Sequence, residues 1–265
     1  MNQSDCTGSP GPWAGSTTWT QGDAHTTTRT DSYSWNKVAG GQSTLALDWN
    51  TSWTAPGTTT TANNEWRDNA FQIRCDNQVG GNTGCVFPHV APTLNLTTAK
   101  YPAAAAYYWV LQEKLASHPG SKKYGKPLHR LANDTTAANN RSAMCLGTVA
   151  EWNPHPNAIG ASCDEYPFAK SMESGGMTLS SGKYCVQMYA EKNSNGTYTL
   201  KLDENYAYPT WNEGCGRAAI TTSQNTAAGG ALGRFTTSVR LLDNDAYYVH
   251  TGYEACDLSQ VCDIT

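Results

Sequence analysis

Charge is scarce in this sequence: Asp, Glu, Lys and Arg make up 15% of 265 residues, with 18 basic and 22 acidic side chains giving a formal net charge of −4. That excludes a strongly basic coat for nucleic acid, because nonspecific affinity for phosphate comes mainly from Lys and Arg. Long apolar runs are missing too. None approaches the ~20 residues of a membrane-spanning helix, so no membrane partner is expected. No two cysteines stand in the Cys-x-x-Cys spacing of a zinc knuckle, and no Gly-x-Ser-x-Gly supports Ser-His-Asp hydrolysis. The opening Met1-Asn2-Gln3-Ser4-Asp5 lacks the pattern of a signal peptide. An export signal is therefore expected to be either absent from this sequence or unneeded.

What the chain does have is polar, uncharged and rich in Thr, Ser, Asn and Gly, as in many secreted proteins. Nine cysteines without metal-ligand spacing point to disulfides and an oxidising, extracellular setting. Cys75 and Cys85 flank a tip containing Gly80, Gly81 and Gly84 and are expected to close it, while Cys256 and Cys262 can clip the C-terminus. The odd cysteine has no fixed place, and Cys163 is one option. Its acidic neighbours would raise its pKa and make it a poor nucleophile. Only four Phe are present, but nine Trp and fourteen Tyr supply ample area for a core.

The expected fold class is α+β. Residues 1–98 read as a β-rich, sandwich-like region of short strands over 16–19, 26–35, 43–53 and 69–74, separated by Gly, Pro and Asn breakers. This region is either an accessory module or one layer of a single domain. Its Trp residues fit packing within sheets better than a stacking surface for sugar or DNA. Residues 99–265 read as a mixed sheet-and-helix core. Pro102 opens a helix continued by 103–116, and His118-Pro119-Gly120 stops it. Residues 120–160 read as mostly loop with a possible strand over 143–149. A hairpin is expected from 184–191 and 198–202 around Asn193-Ser194-Asn195-Gly196. Further strands are expected at 218–222 and 245–251, with a helix over 230–241 between them.

The most informative stretch is Cys163-Asp164-Glu165-Tyr166-Pro167-Phe168-Ala169. Two acids before Pro read as the first turn of a helix over 165–174, ended by Gly175-Gly176, where acids serve either as caps or as chemistry. The later segment Gln224-Asn225-Thr226-Ala227-Ala228-Gly229-Gly230 helps to decide between them. Asp164-Glu165-Tyr166-Pro167, then Glu173 with Gly175 and Gly176, then Asn225 with Gly229 and Gly230 resemble, in this order, the deoxyribonuclease NucA/NucB family of extracellular bacterial nucleases. Gly84 to Pro88, Lys126 to Arg130, and Asn140-Arg141 before Cys145 are similar to its longer secreted members. The likeness is closest over 163–249, extends back to about 75 and stops there.

That resemblance implies a core similar to the ββα-metal nucleases, with an acid in place of their histidine base. It also implies one divalent cation, Mg²⁺ or Mn²⁺, held by Asp164, Glu165 and Asn225. Hard cations of this kind take oxygen ligands and keep several waters, so a few carboxylate or amide oxygens suffice. Asp164, Glu165 and Glu173 are the candidate catalytic acids, with base and ligand not yet distinguished. The alternatives are an idle helix-end acid for Glu173 and a cap on the following helix for Asn225. Gln224, Arg234, Arg240, His155, Lys126 and Arg130 are the candidate substrate contacts. Arg234 and Arg240 have structural ion pairs with Asp243 or Asp245 as their alternative. Lys122, Lys123, Lys126 and Arg130 form the one visible basic cluster, in a stretch (120–255) where twelve basic and twelve acidic residues balance. The expected partner is DNA, with RNA also open, contacted through its phosphates by a monomer. The rival reading is a Trp-rich carbohydrate- or cell-wall-binding protein whose acid pair only caps a helix. A nuclease toxin domain of a longer effector, with an inhibitor protein as partner, keeps the chemistry and changes the biology.

Overall fold

A computed structural model of the chain describes residues 72–253 except 159, and before them the segments 6–9, 32–35, 41–46, 48–54 and 61–67 and residue 59. The chain divides into two compact units, Met1–His89 and Val90–Thr265. The first is built of antiparallel strands among its described residues. β1 (Cys6–Ser9) pairs with β2 (Ser32–Trp35). β3 (Gln42–Leu45) pairs with β6 (Ile73–Asp76), β4 (Asp48–Thr54) with β5 (Thr61–Arg67), and β6 also with β7 (Gly84–Val86). Cys75 and Cys85 face each other across β6 and β7 and form a disulfide. Gly80 and Gly81 make the intervening turn with positive φ, a backbone state that favours glycine. The expected strand at 16–19 and the Cys256–Cys262 clip lie outside the described residues.

The second unit is organised around α1 (Pro102–Lys114), which begins with proline in its first turn. Residues 103–109, Leu111 and Gln112 are all buried, so this helix is covered on nearly every side, as expected of one that is apolar all round. A four-stranded sheet lies against it, in the order β10 (Ala161–Tyr166), β13 (Gly216–Thr221), β11 (Val186–Lys192), β12 (Tyr198–Leu202). β13 runs antiparallel to β10 and parallel to β11, and β11–β12 is the expected hairpin. A second sheet sets β14 (Ala246–His250) between β8 (Thr93–Asn95) and β9 (Leu128–His129). The main core joins Tyr107, Tyr108, Leu111, Leu128, Tyr166, Ile220 and Tyr247, all nearly free of solvent. Mixed helices and small sheets make this an α+β fold, as expected.

Three local expectations are corrected. The acid pair does not open a helix: Asp164 and Glu165 lie in β10, opposite Ala218 and Arg217 of β13. Continuous burial from Cys163 to Ala169 makes this segment core strand and turn, and that tertiary demand overrides the acids' preference for a helix N-terminus. The segment 143–149 is helical rather than a strand. α2 (Asp134–Cys145) and α3 (Gly147–Ala150) occupy the supposed loop, and the Asn133 side chain caps α2 by accepting from the Thr136 N–H at 2.9 Å. The last helix, α4 (Thr222–Ser238), starts before 230 and runs straight through Gly229 and Gly230.

Cys163 is not free. It is bonded to Cys145, and Cys185 is bonded to Cys215. The first of these bridges ties the end of α2 to the residue next to Asp164. Gly176, in a short 3₁₀ turn, is glycine for a packing reason, since a Cβ there would collide with the Asn140 backbone of α2.

Candidate active site

β10, β13 and α4 together form two antiparallel strands and a helix. A cleft of about 500 Å³ lies against this group. Asp164 and Glu165 line it from β10, Asn225, Gly229 and Gly233 from α4, and Arg141 from α2. Arg130, Lys170, Tyr108, Tyr247, Thr236 and Thr237 complete the polar lining.

The two acids are almost wholly withdrawn from water, at 6% and 7% exposure. The Tyr108 hydroxyl donates to Asp164 Oδ2 at 2.6 Å. Burial pushes the Asp164 carboxyl up to about 7 despite this bond and the nearby Arg141 guanidinium. Burial, and then the charge of Asp164, push Glu165 up to about 8. Cys145 Sγ lies 3.1 Å from Glu165 Oε2, but a disulfide sulfur carries no proton, so this is contact and not a hydrogen bond. Tyr108 itself is held above its ordinary pKa by burial and by Asp164, so it stays a neutral donor.

Asn225 reaches from α4 onto β10. Its Nδ2 donates to Ser162 Oγ at 2.9 Å and to the Cys163 carbonyl at 2.7 Å. A carbonyl can only accept, so the amide orientation is fixed: nitrogen towards the strand, Oδ1 left for another partner. Carboxylate oxygens from β10 and a carbonyl oxygen from α4 therefore line one cleft. This all-oxygen set suits a hard divalent cation of the Mg²⁺ or Mn²⁺ kind. The raised pKa values of two adjacent buried acids mark a place where positive charge would be favourable.

Of the expected substrate contacts, Arg130 lines the cleft and donates through Nη1 to the Leu241 carbonyl. The others are placed elsewhere. Gln224 Oε1 accepts from the Ala103 N–H at 2.8 Å, which supplies the cap that Tyr101 does not give α1. Arg234 extends back beside Gly230 on the exposed side of α4. Arg240 follows α4 with φ +55. Lys126 sits in an exposed turn bridged to Ser121, where neighbouring Lys123 is paired with Glu113 at 2.8 Å. Glu173 is occupied on both oxygens by His129: Oε2 accepts from its N–H at 2.9 Å, and Oε1 lies 2.6 Å from Nδ1.

His155 lines a separate cavity of about 650 Å³ with Glu204, Asn205 and Tyr206. His155, Asp203 and Glu204 bring potential ligand atoms within 4.8 Å of one another. The imidazole is already committed, however. Nδ1 accepts from the Asn157 N–H at 3.2 Å, which puts the proton on Nε2, facing Glu204 Oε1 at 3.1 Å, and the ring stacks on Tyr189.

Among the cleft residues that were not candidates are Arg141, Tyr108, Lys170 and Tyr247. For Arg141 a signal existed. It stands four residues before Cys145 and so on the same face of a helix, and pairing Cys145 with Cys163 would have carried it to the acid pair. Nothing in sequence links Tyr108 to Asp164, 56 positions away.

Comparison with known proteins fits this geometry. Residues 119–206 match the family model of Deoxyribonuclease NucA/NucB. The resemblance read from the sequence holds over that span, and the three disulfides fit a disulfide-containing member. The matched span includes Arg130, Arg141, Asp164, Glu165 and Glu173 and ends before α4. No curated protein and no solved structure matches the chain.

Proposed function

We propose that the chain is a secreted endonuclease that hydrolyses DNA phosphodiester bonds with the help of one divalent cation, Mg²⁺ or Mn²⁺, and with little sequence preference. The observation that supports this most is the convergence, in one cleft of the NucA/NucB-matching unit, of Asp164, Glu165 and the Asn225 amide with two arginines. When bound, the cation would offset charge on the non-bridging oxygens and make nearby water more acidic. Asp164, with one oxygen held by Tyr108, is fixed in orientation and suits a ligand role beside Asn225 Oδ1. Glu165 lacks such a hydroxyl donor; burial keeps it protonated near neutral pH, and a cation favouring its ionised form would free it to take a proton from water. Arg130 and Arg141 supply positive charge for the phosphate. Contacts of this kind read the backbone and carry little sequence information. The disulfides fit an oxidising compartment, and among the described residues no helix is long and apolar enough to cross a membrane.

Plasmid nicking with Mg²⁺ or Mn²⁺, with and without chelator, tests this directly. Asp164→Asn and Glu165→Gln keep size and remove charge, and each is expected to cut turnover by about 10²-fold or more. Full activity in both folded variants, or in excess chelator, would overturn the assignment.

A further inference from the structure

α4 contains three glycines, Gly229, Gly230 and Gly233, in the middle of a seventeen-residue helix. Glycine is among the poorest helix formers, so an interior glycine calls for a reason. The two usual reasons are absent at Gly229 and Gly233. Neither has a positive φ, and a Cβ built on either would meet nothing within 4 Å. Elsewhere in this unit glycines are plainly required: a Cβ on Gly176 would strike the Asn140 backbone, one on Gly216 the Leu111 side chain, and Gly120 combines positive φ with the Tyr166 hydroxyl.

The open space above Gly229 and Gly233 is the cleft, which both residues line. Asn225, Gly229, Gly233 and Thr237 recur every four residues and so form one stripe along the helix, about 18 Å long at 1.5 Å per residue. At its near end Asn225 is bonded to β10 beside Asp164. Beside this stripe Tyr247, 1% exposed, lines the same cleft, and its buried hydroxyl has no hydrogen-bond partner.

We infer that Gly229 and Gly233 are specificity-determining positions, kept bare so that the sugar–phosphate backbone of a nucleic-acid strand can lie against α4 on its way to the acid pair. This rests on the nuclease reading and deepens it, because it names the helix face along which the strand would run. A wall about 18 Å long matches roughly five phosphates of one strand at about 3.4 Å each along a duplex axis. Backbone meeting backbone at that range is the situation that glycine permits and any side chain obstructs.

The test compares the paired changes Gly229→Ala/Gly233→Ala and Gly229→Leu/Gly233→Leu with Gly230→Ala on the same helix. Gly230 does not line the cleft, and a Cβ there has only the flexible end of Arg234 nearby. All alanine changes are expected to raise the melting temperature, because alanine favours the helix. Binding of a fluorescent duplex in chelator and plasmid cleavage with Mg²⁺ or Mn²⁺ are then measured. Both are expected to weaken in the order Gly, Ala, Leu at 229/233, by tenfold or more for the leucine pair, and to be unchanged for Gly230→Ala. A folded leucine pair that binds and cuts like the parent protein would sink the inference and leave the nuclease assignment standing. Loss of binding on substitution, in a parent that binds duplex but cuts nothing with either ion, would do the reverse.

Discussion

Asp164 and Glu165 are the residues in which structure and chemistry are most tightly linked, because the fold hides two neighbouring acids that would each rather face water. Their folded pKa values, about 7 and about 8, stand well above the 3.8 and 4.5 of the free side chains. The folded state therefore holds protons that the unfolded chain has already lost. The stability that depends on these protons is complete below about pH 4 and is lost as pH rises through 7 to 8. In chelator, the protein is accordingly expected to melt at lower temperature at pH 8.5 than at pH 5, with a free-energy difference on the order of a few kcal/mol. Mg²⁺ or Mn²⁺ at pH 8.5 should restore the lost stability, since a bound cation favours the ionised acids. The Asp164→Asn/Glu165→Gln double variant should show a much flatter profile and little response to either ion. Scanning calorimetry across this range decides the matter, and an unchanged slope in the double variant would place the pH dependence elsewhere.

At the scale of elements, α2 delivers Arg141 to the cleft, and two devices fix its C-terminal end. One is the Cys145–Cys163 bridge to β10. The other is Arg217 of β13, a fully buried guanidinium that donates to the carbonyls of Met144, Ala150 and Glu151 and to Gln187 Oε1. These are the carbonyls that a helix end leaves without partners. Arg217→Leu would keep much of the volume but take the guanidinium donors from the Met144 carbonyl and Gln187 Oε1 in the interior, while the Ala150 and Glu151 carbonyls would keep the Ser181 and Tyr206 hydroxyls, so a loss of about 2 kcal/mol or more is expected in urea denaturation. None of this was legible beforehand, because buried polar capping depends on contacts between residues 66 to 73 positions apart. The local pattern of turn, cap and cysteine residues did reveal the β11–β12 hairpin, the start of α1 and the disulfide between Cys75 and Cys85, all of which are local in sequence. It failed at the acid pair, where acids before proline imitate a helix start while strand pairing and burial decide otherwise. It failed again at Gly229 and Gly230, read as the boundary of a helix that passes through them. Of these two, Gly229, like Gly233 one turn further on, is the glycine that conformation and packing leave unexplained without a substrate.

On the scale of the whole molecule, the division into Met1–His89 and Val90–Thr265 differs from the composition-based boundary near 98, because β8 (Thr93–Asn95) pairs with β14 at the far end of the chain. A cut at 98 would remove that edge strand and strip Leu94 and Leu96 from the main core. A cut at 90 would leave the core whole: every member of the main cluster lies between Leu94 and Val249, and so do all the residues that line the cleft. Two disulfides among the described residues also close within the second unit, Cys145 to Cys163 and Cys185 to Cys215. The fragment 90–265 is therefore expected to unfold in one cooperative transition and to nick plasmid DNA within about threefold of the full chain, whereas the fragment 99–265 should lose several kcal/mol through its missing strand and two buried leucines. Denaturation and nicking assays on the two fragments check this together. If 90–265 fails to fold while the full chain cuts DNA, the first unit contributes to the stability of the second, and the separation drawn at His89 is wrong.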